Sequence, residues 1–325
     1  MKDVAARAGV GLKTVSRVVN GEPGVTADTE RRVQEAIEAL GFRRNDSARV
    51  LRKGRTASIG LVLEDLANPF YGPLSRAVEE VARAHGALLI NGSSAEDPGR
   101  EQELVLAFCA RRVDGLIVIP AGTDHRYLEP ELRAGVATVF VDRPAGRIEV
   151  DTVLTDSFGG ARAGVAHLIA HGHRRIGFIG DQPRIHTAVE RLRGYRAAMA
   201  DAGLAVADGW VSLGSTEPGR VREALAAMLA GPDPVTALFA GNNRVTVTAV
   251  RELAGRSRPV ALVSFDDIEL ADLLGITVVA QDSAALGRTA AERLFRRLDG
   301  SGEPPARLEL PTRLIPRGSG ELPPA

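Results

Sequence analysis

Four polar residues stand at one kind of position in this chain. Asp65, Asp142, Asn242 and Asp266 each come just after a short apolar, strand-like run. Carboxylates and amides placed at strand ends are suited to hydrogen-bonding hydroxyl groups. Any one of them can be a loop residue or a helix cap, but four together favour a ligand site. Three histidines form the other conspicuous group. His167 and His171 lie four apart, a helical spacing that can share a metal, and His173 is close by. Yet His171-Gly172-His173 falls where the helix should stop, a place that favours cationic and hydrogen-bonding side chains. With no fourth ligand nearby, no metal site is expected. Cys109 is the only cysteine, which excludes an internal disulfide and a cysteine-based zinc site. It lies in the apolar-periodic stretch Leu104–Arg112 and reads as a small core residue rather than a nucleophile. The sequence holds no phosphate-binding loop, no Gly-x-Ser-x-Gly elbow and no strand followed by GxGxxG. Neither an enzyme nor a cofactor is expected.

The elements that must position the four polar residues begin at Ser58. Apolar runs such as Ile59–Leu63, Leu116–Ile119, Val139–Val141, Ile176–Ile179 and Val260–Val263 alternate with helical patterns. Those patterns include Leu74–Ala84, Glu101–Ala110, Gly160–Ala170, Leu192–Ala202 and Val245–Leu253. Repeated strand–helix units predict parallel sheets with helices on both faces. A stretch this long exceeds one ordinary sheet domain, so two doubly wound lobes are predicted. Ligands in such folds bind beyond the carboxyl ends of the strands, where the four polar residues lie.

The first forty residues follow another plan. Val4, Ala5 and Ala8 form an apolar stripe that stops at Gly9, and Val15, Val18 and Val19 repeat at helical spacing until Asn20-Gly21. Thr26 reads as the N-cap of a third helix with Val33, Ile37 and Leu40 on its apolar side. Helix, tight glycine turn, helix is the helix-turn-helix arrangement. From Phe42 to Arg55 the chain is strongly basic and reads as a linker that orders only against something acidic. Residues 1–56 hold 12 Lys and Arg against 7 Asp and Glu, although the whole chain is balanced at 41 of each. A basic head on an acidic body suits phosphate binding by the head. No run approaches the roughly 18–20 apolar residues of a membrane span, and no signal peptide is visible, which points to a cytoplasmic protein without a membrane partner.

At this point the chain closely resembles the lactose-repressor/galactose-repressor (LacI/GalR) family of transcriptional regulators. The likeness is sharpest in KDVAARAGVGLKTVSRVVN (residues 2–20). It continues through ARVLRKGRT, SIGLVLEDLANPFY, VFVDRP, HLIAHGHRRIGFIG, ERLRGY and SFDD, in the family's order and over nearly the whole chain. The resemblance implies an N-terminal all-α helix-turn-helix domain plus an α/β periplasmic-binding-protein-like body of two doubly wound parallel-sheet lobes. The corresponding boundaries are 1–42 for the head, 43–56 for a hinge helix or linker and 57–325 for the effector-binding body. Within the body, the N-lobe takes about 57–155 and 283–311, the C-lobe about 156–282 and 312–325.

In the resembling family the second helix enters the major groove. Leu12, Lys13 and Arg17 are the base-reading candidates, Arg17 suited to guanine and Leu12 to a thymine methyl. Thr14, Ser16 and Asn20 suit phosphate contacts that fix register. Asn45 and Leu51 are assigned to the hinge, Leu51 as an apolar wedge in the minor groove. The family likeness maps Phe70, Tyr71, Asp142, Arg191, Asn242 and Asp266 to a cleft between the lobes, where a sugar or sugar derivative binds. Asn68 and Gln281 join them as residues that can instead cap or orient a loop. The family also implies a homodimer on a pseudo-palindromic double-stranded operator. The tail after Pro311 has no leucine heptad, so a tetramer-forming coiled coil is not expected.

The chain also departs from the family pattern. The first helix begins almost at Met1, Gly11 replaces a serine N-cap and Arg44 stands where a proline often precedes the hinge. Asn243 replaces a frequent Asp, and Ile268–Thr277 is shorter than usual. The expected function is sequence-specific repression controlled by a small effector. The alternatives are a sugar-binding protein with a vestigial head and a repressor that senses no ligand.

Overall fold

The computed structural model describes residues 1–42, 56–230 and 233–324. Asn45 and Leu51, and with them the hinge, lie outside the described residues. The chain divides into two units, Met1–Thr56 and Ala57–Ala325.

The first unit has three helices, α1 (Lys2–Ala8), α2 (Leu12–Asn20) and α3 (Ala27–Ala39). Helices this short are marginal alone, so their stability comes from one shared core. Val4, Ala5, Ala8, Val15, Val33 and Ala36 supply it. Gly9 (φ 64°) and Gly21 (φ 64°) end α1 and α2 in the left-handed conformation that glycine adopts at low cost. Arg32 of α3 donates to the Ala8 carbonyl at 2.6 Å, which satisfies an end of α1 from a neighbouring helix. Thr26 caps α3 as expected, accepting from the Thr29 amide. Leu40, expected on the apolar side of α3, is exposed instead, and Ala36 takes the inner position.

The second unit holds two six-stranded sheets among the described residues. The first runs β11 (Arg307–Leu310), β5 (Asp151–Thr155), β4 (Ala137–Val141), β3 (Gly115–Val118), β1 (Ser58–Leu63), β2 (Leu88–Ser93). The second runs β12 (Arg313–Ile315), β10 (Thr277–Ala280), β9 (Ala261–Phe265), β8 (Ala237–Ala240), β6 (Ile176–Gly180), β7 (Val211–Leu213). The two orders are the same, position for position. All pairings are parallel except β10 with β12. The central strands are buried along their length, as sheets covered on both faces require.

We call the sheets and their helices the N-lobe and the C-lobe. The N-lobe carries α4 (Tyr71–Ala84), α5 (Pro98–Ala110) and the short α6 (Glu129–Arg133). The C-lobe carries α7 (Ser157–Ala170), α8 (His186–Asp201), α9 (Pro218–Ala230) and α10 (Asn243–Leu253). After β10 the chain returns, and α11 (Ser283–Leu298) packs Leu286, Ala290 and Leu294 into the N-lobe core with Leu74 and Val78. The chain therefore crosses between lobes after β5, after β10 and between β11 and β12.

Two of the three histidines contact the C-terminal segment. His167 pairs with Glu321, while His173 is fully buried and contacts the Leu322 carbonyl at 2.7 Å and Thr236 Oγ1 at 2.9 Å. Together they fasten the C-terminal segment to the C-lobe. Burial and the nearby Glu131 push the Cys109 thiol up to about 11, so it holds its proton at neutral pH, unlike a nucleophilic thiolate.

Candidate functional site

The two units present two different surfaces. On the head, α2 buries Val15 and turns its polar side outward. Leu12 is 48% exposed although it is a large apolar residue, and Lys13 beside it is exposed as well. Thr14, Ser16, Arg17 and Asn20 are half-buried on the same helix. Asn20 donates to Ser16 Oγ at 3.4 Å and to Glu22 at 3.0 Å, so its amide nitrogen is already engaged within the head. Gly11 precedes α2 in extended conformation with no side-chain cap, which leaves the first amides of α2 without that partner.

On the body, the carboxyl ends of the two sheets face each other across a cleft. All eight residues expected there line it: Asn68, Phe70, Tyr71 and Asp142 from the N-lobe, Arg191, Asn242, Asp266 and Gln281 from the C-lobe. The enclosed space is about 50 Å³, so the walls nearly touch.

Asp142 directly follows β4 and Asp266 directly follows β9, the matching strand of the other lobe. Both have left-handed backbone, φ 68° and φ 79°, and each amide bonds the next strand, to Val153 O at 2.9 Å and Val279 O at 3.0 Å. A left-handed non-glycine residue is costly and persists where its surroundings fix it. Here it aims two carboxylates into one cleft. Burial pushes the Asp142 carboxyl up, against the pull of Arg143 and Arg191. Asp266 accepts from the Asn243 amide at 3.1 Å and from Gln281 Nε2 at 2.5 Å. Gln281 thus orients Asp266, and its own Oε1 is buried without a hydrogen-bond partner.

Arg191, on α8, is 6% exposed. Its guanidinium lies 3.8 Å over the Phe265 ring and donates to the Gly241 carbonyl at 2.8 Å, while Nε has no partner. Asn242 caps α10 by accepting from the Val245 amide at 2.9 Å and donates to Asp181 at 3.2 Å. Asn68 does two jobs: its Oδ1 accepts from the Phe70 amide at 3.1 Å and from Asn243 of the opposite lobe at 2.7 Å. Tyr71 is buried, meets Phe70 edge to face at 5.1 Å and donates its phenol to Glu64 at 3.3 Å.

Four charged lining residues were not among the expected ones, and Asn243, where the chain departs from the family pattern, lines the cleft beside them. Glu64 and Asp181 follow β1 and β6 at matching places, and burial pushes both carboxyls up. Arg143 is 7% exposed, grips Glu96 through bonds of 2.6 and 3.0 Å, and stands 3.6 Å from Asp142. Asn243 and Arg244 open α10, and Arg244 reaches across to Glu64 at 3.0 Å and Asp65 at 2.8 Å. Asp65, read as a strand-end ligand, instead lies at the rim, where it also holds a turn through the Ala67 amide at 2.9 Å. Arg184 bridges the lobes on the other side, donating to the carbonyls of Ala121 at 3.1 Å and Glu96 at 3.0 Å.

The chemistry available is that of recognition. The cleft offers carboxylates, amides, a guanidinium and two aromatic rings, a set that binds hydroxyls and covers the apolar side of a ring. Among the described residues no three His, Cys, Asp or Glu side chains are grouped to hold a metal, and no helix is long and apolar enough to cross a membrane.

Comparison with known proteins gives the same two parts. Residues 1–45 match the family of bacterial regulatory proteins of lacI type, and residues 165–320 match the periplasmic binding protein-like domain. The transcriptional regulator PtxS of Pseudomonas plecoglossicida is 34% identical over 98% of this chain and 95% of its own. A structure of the transcriptional regulator CelR in complex with cellobiose matches with a TM-score of 0.74 at 31% identity, over 98% of each chain. The lac repressor dimer bound to operator and the anti-inducer ONPF matches with a TM-score of 0.85 at 25% identity, also over 98% of each.

Proposed function

This chain belongs to the lacI family of bacterial regulatory proteins, and from that premise we propose that it is a sequence-specific DNA-binding transcriptional repressor controlled by a small effector, a sugar or sugar derivative, held between the lobes. One observation carries the effector reading: eight residues scattered from Asn68 to Gln281 converge on one cleft at the strand carboxyl ends. Two relatives support it, one solved with cellobiose and one with operator and a ligand.

In the head, Leu12, Lys13 and Arg17 read bases, while Thr14, Ser16 and Asn20 contact phosphates. Asn45 and Leu51 serve the hinge. Leu51→Ala is expected to weaken specific operator binding far more than non-specific binding, and equal losses in a salt-controlled titration would remove the wedge role. The acting species is a homodimer on a two-fold operator. Leu270, Leu273 and Leu274 are 57%, 79% and 53% exposed, an apolar face that a second copy covers. A monomer in sedimentation equilibrium at micromolar concentration would contradict this.

Effector binding changes the angle between the lobes, and residues 43–56 pass that change to the head. A hundredfold change in operator affinity needs about 2.7 kcal/mol of coupling. The test is a thermal-melt screen of the whole protein against mono- and disaccharides, sugar phosphates and nucleobases. A ligand at 100 times its Kd adds about 2.7 kcal/mol, a shift of a few degrees. A hit that is lost in Asp266→Ala identifies the effector and the cleft together. A protein that binds operator but responds to nothing would be a repressor that senses no ligand.

A further inference from the structure

The cleft does not end at its polar centre. A second cavity of about 630 Å³ adjoins it and shares Phe70, Asn243, Arg244, Asp266 and Gln281 with it. That volume falls in the roughly 300–1,000 Å³ range of small-molecule sites, whereas the centre encloses about 50 Å³. The lining changes along the way. Beyond the shared residues come Pro69 and Pro73 from the N-lobe and Pro218, Val247 and Ile268 from the C-lobe. Val247 is 40% exposed, a β-branched apolar side chain on α10 left facing this space.

Charge in this mouth is mostly negative. Asp65, Glu217, Asp266, Asp267 and Glu269 line it against Arg244 and Arg251. Arg244 is already paired with Glu64 and Asp65, so it has little attraction left for an anion. Asp267 is likewise paired, with Arg317 at 2.7 Å, so a phosphate here would meet Glu217, Asp266 and Glu269 against Arg251. A neutral ring would meet proline and valine surface on its apolar side and carboxylates for its hydroxyls.

We propose that the mouth is a second subsite and that the effector is an uncharged disaccharide or glycoside. One unit is held by the polar centre, whose walls part to admit it, and the other lies against Phe70, Pro73, Val247 and Ile268. The inference rests on the effector reading above and fixes the size and charge of the ligand.

The test compares D-glucose, D-galactose and D-ribose with cellobiose, maltose, lactose and sucrose, and with glucose 6-phosphate, by titration calorimetry on the full chain and on Val247→Trp. Val247 is exposed, so the larger side chain fills the mouth rather than the core, and operator binding without sugar reports that the variant is folded. The expected result is a neutral disaccharide that binds roughly tenfold or more tighter than its component monosaccharide, with that ratio falling towards one in Val247→Trp. A monosaccharide that binds as tightly as any disaccharide, or a ratio that Val247→Trp leaves intact, would overturn the subsite and leave the effector reading standing. Tighter binding of glucose 6-phosphate than of glucose would overturn the uncharged class. Binding of none of these sugars would overturn the sugar-effector reading and the subsite with it.

Discussion

The N-lobe and the C-lobe share a strand order, and matching strands deliver matching acids to the cleft: Glu64 and Asp181 after β1 and β6, Asp142 and Asp266 after β4 and β9. Their surroundings differ. In the N-lobe the buried charge is met by another charge, with Arg143 gripping Glu96 and standing beside Asp142. In the C-lobe it is met mainly by neutral groups, the Asn243 amide and Gln281 on Asp266 and Asn242 on Asp181. Topology therefore sets where a polar group stands, while local sequence sets what it is bonded to. Each wall keeps one guanidinium donor unpaired, Arg143 Nε in the first and Arg191 Nε in the second, and the second adds the acceptor Gln281 Oε1. The contrast assigns stability mainly to the first wall and ligand discrimination mainly to the second.

The largest effect should come from breaking the charged wall. Arg143→Met leaves the buried Asp142 and the half-buried Glu96 without their nearest cation, at a cost of about 3 kcal/mol in urea unfolding of the full chain. Arg191→Met removes one bond to the Gly241 carbonyl and a ring contact, and should cost about 1–2 kcal/mol. Equal losses would erase the contrast. Ligand affinity should show the reverse order. Asp266→Ala is expected to weaken the sugar found in the melt screen about 100-fold, since it orphans both Gln281 and the Asn243 amide. Asp142→Ala should weaken it about tenfold, as measured by calorimetry, because Arg143 already draws on that carboxylate.

How much of this was legible in the sequence can be traced residue by residue. Asp142 and Asp266 were legible because each follows a short buried strand. Glu64 was not, because Asp65 is its neighbour, and an apolar run cannot say which of two adjacent acids turns inward. Arg143 and Arg244 adjoin residues or motifs that stood out, yet their roles depend on partners far away in sequence, Glu96 and Glu64. Strands β5, β7 and β10 did not stand out either. DTVLT carries three polar residues, and β7 is three residues long. Leu40 continued a spacing pattern that the end of α3 cut off.

Between the walls, Arg184 gives a smaller effect. Its two carbonyl acceptors belong to the N-lobe, and Glu101 in turn fixes the Ala121 amide at 2.5 Å. The side chain is 42% exposed, so the contact is worth about 1 kcal/mol or less. Arg184→Ala should broaden and lengthen the distance between spin labels placed at the exposed Arg133 and Ser257, in a background with Cys109 replaced by serine. An unchanged distribution would leave Asn68–Asn243 and Arg244 as the bonds that hold the lobes together.

The smallest effect is the pH dependence, and it bears on whether the ion pairs of the N-lobe fully offset burial. Burial pushes Asp142 and Glu64 up in the N-lobe and Asp181 up in the C-lobe. A carboxyl raised above its unfolded value takes its proton more readily when folded. Its contribution to stability is present at low pH and is lost as pH rises through the folded value. His173 and His186 act in the opposite direction. Burial holds both below the usual histidine value, so stability is lost as pH falls through that range. The wild-type profile sums the two. Asp142→Asn separates them, since the amide carries no charge to bury at high pH. The melting temperature of Asp142→Asn relative to wild type should therefore be higher at pH 8 than at pH 5, by a few degrees in calorimetry. A difference that stays flat over this range would mean that Arg143 and Arg191 cancel the cost of burying Asp142. The N-lobe wall would then be electrostatically complete, and any ligand preference would rest on the C-lobe alone.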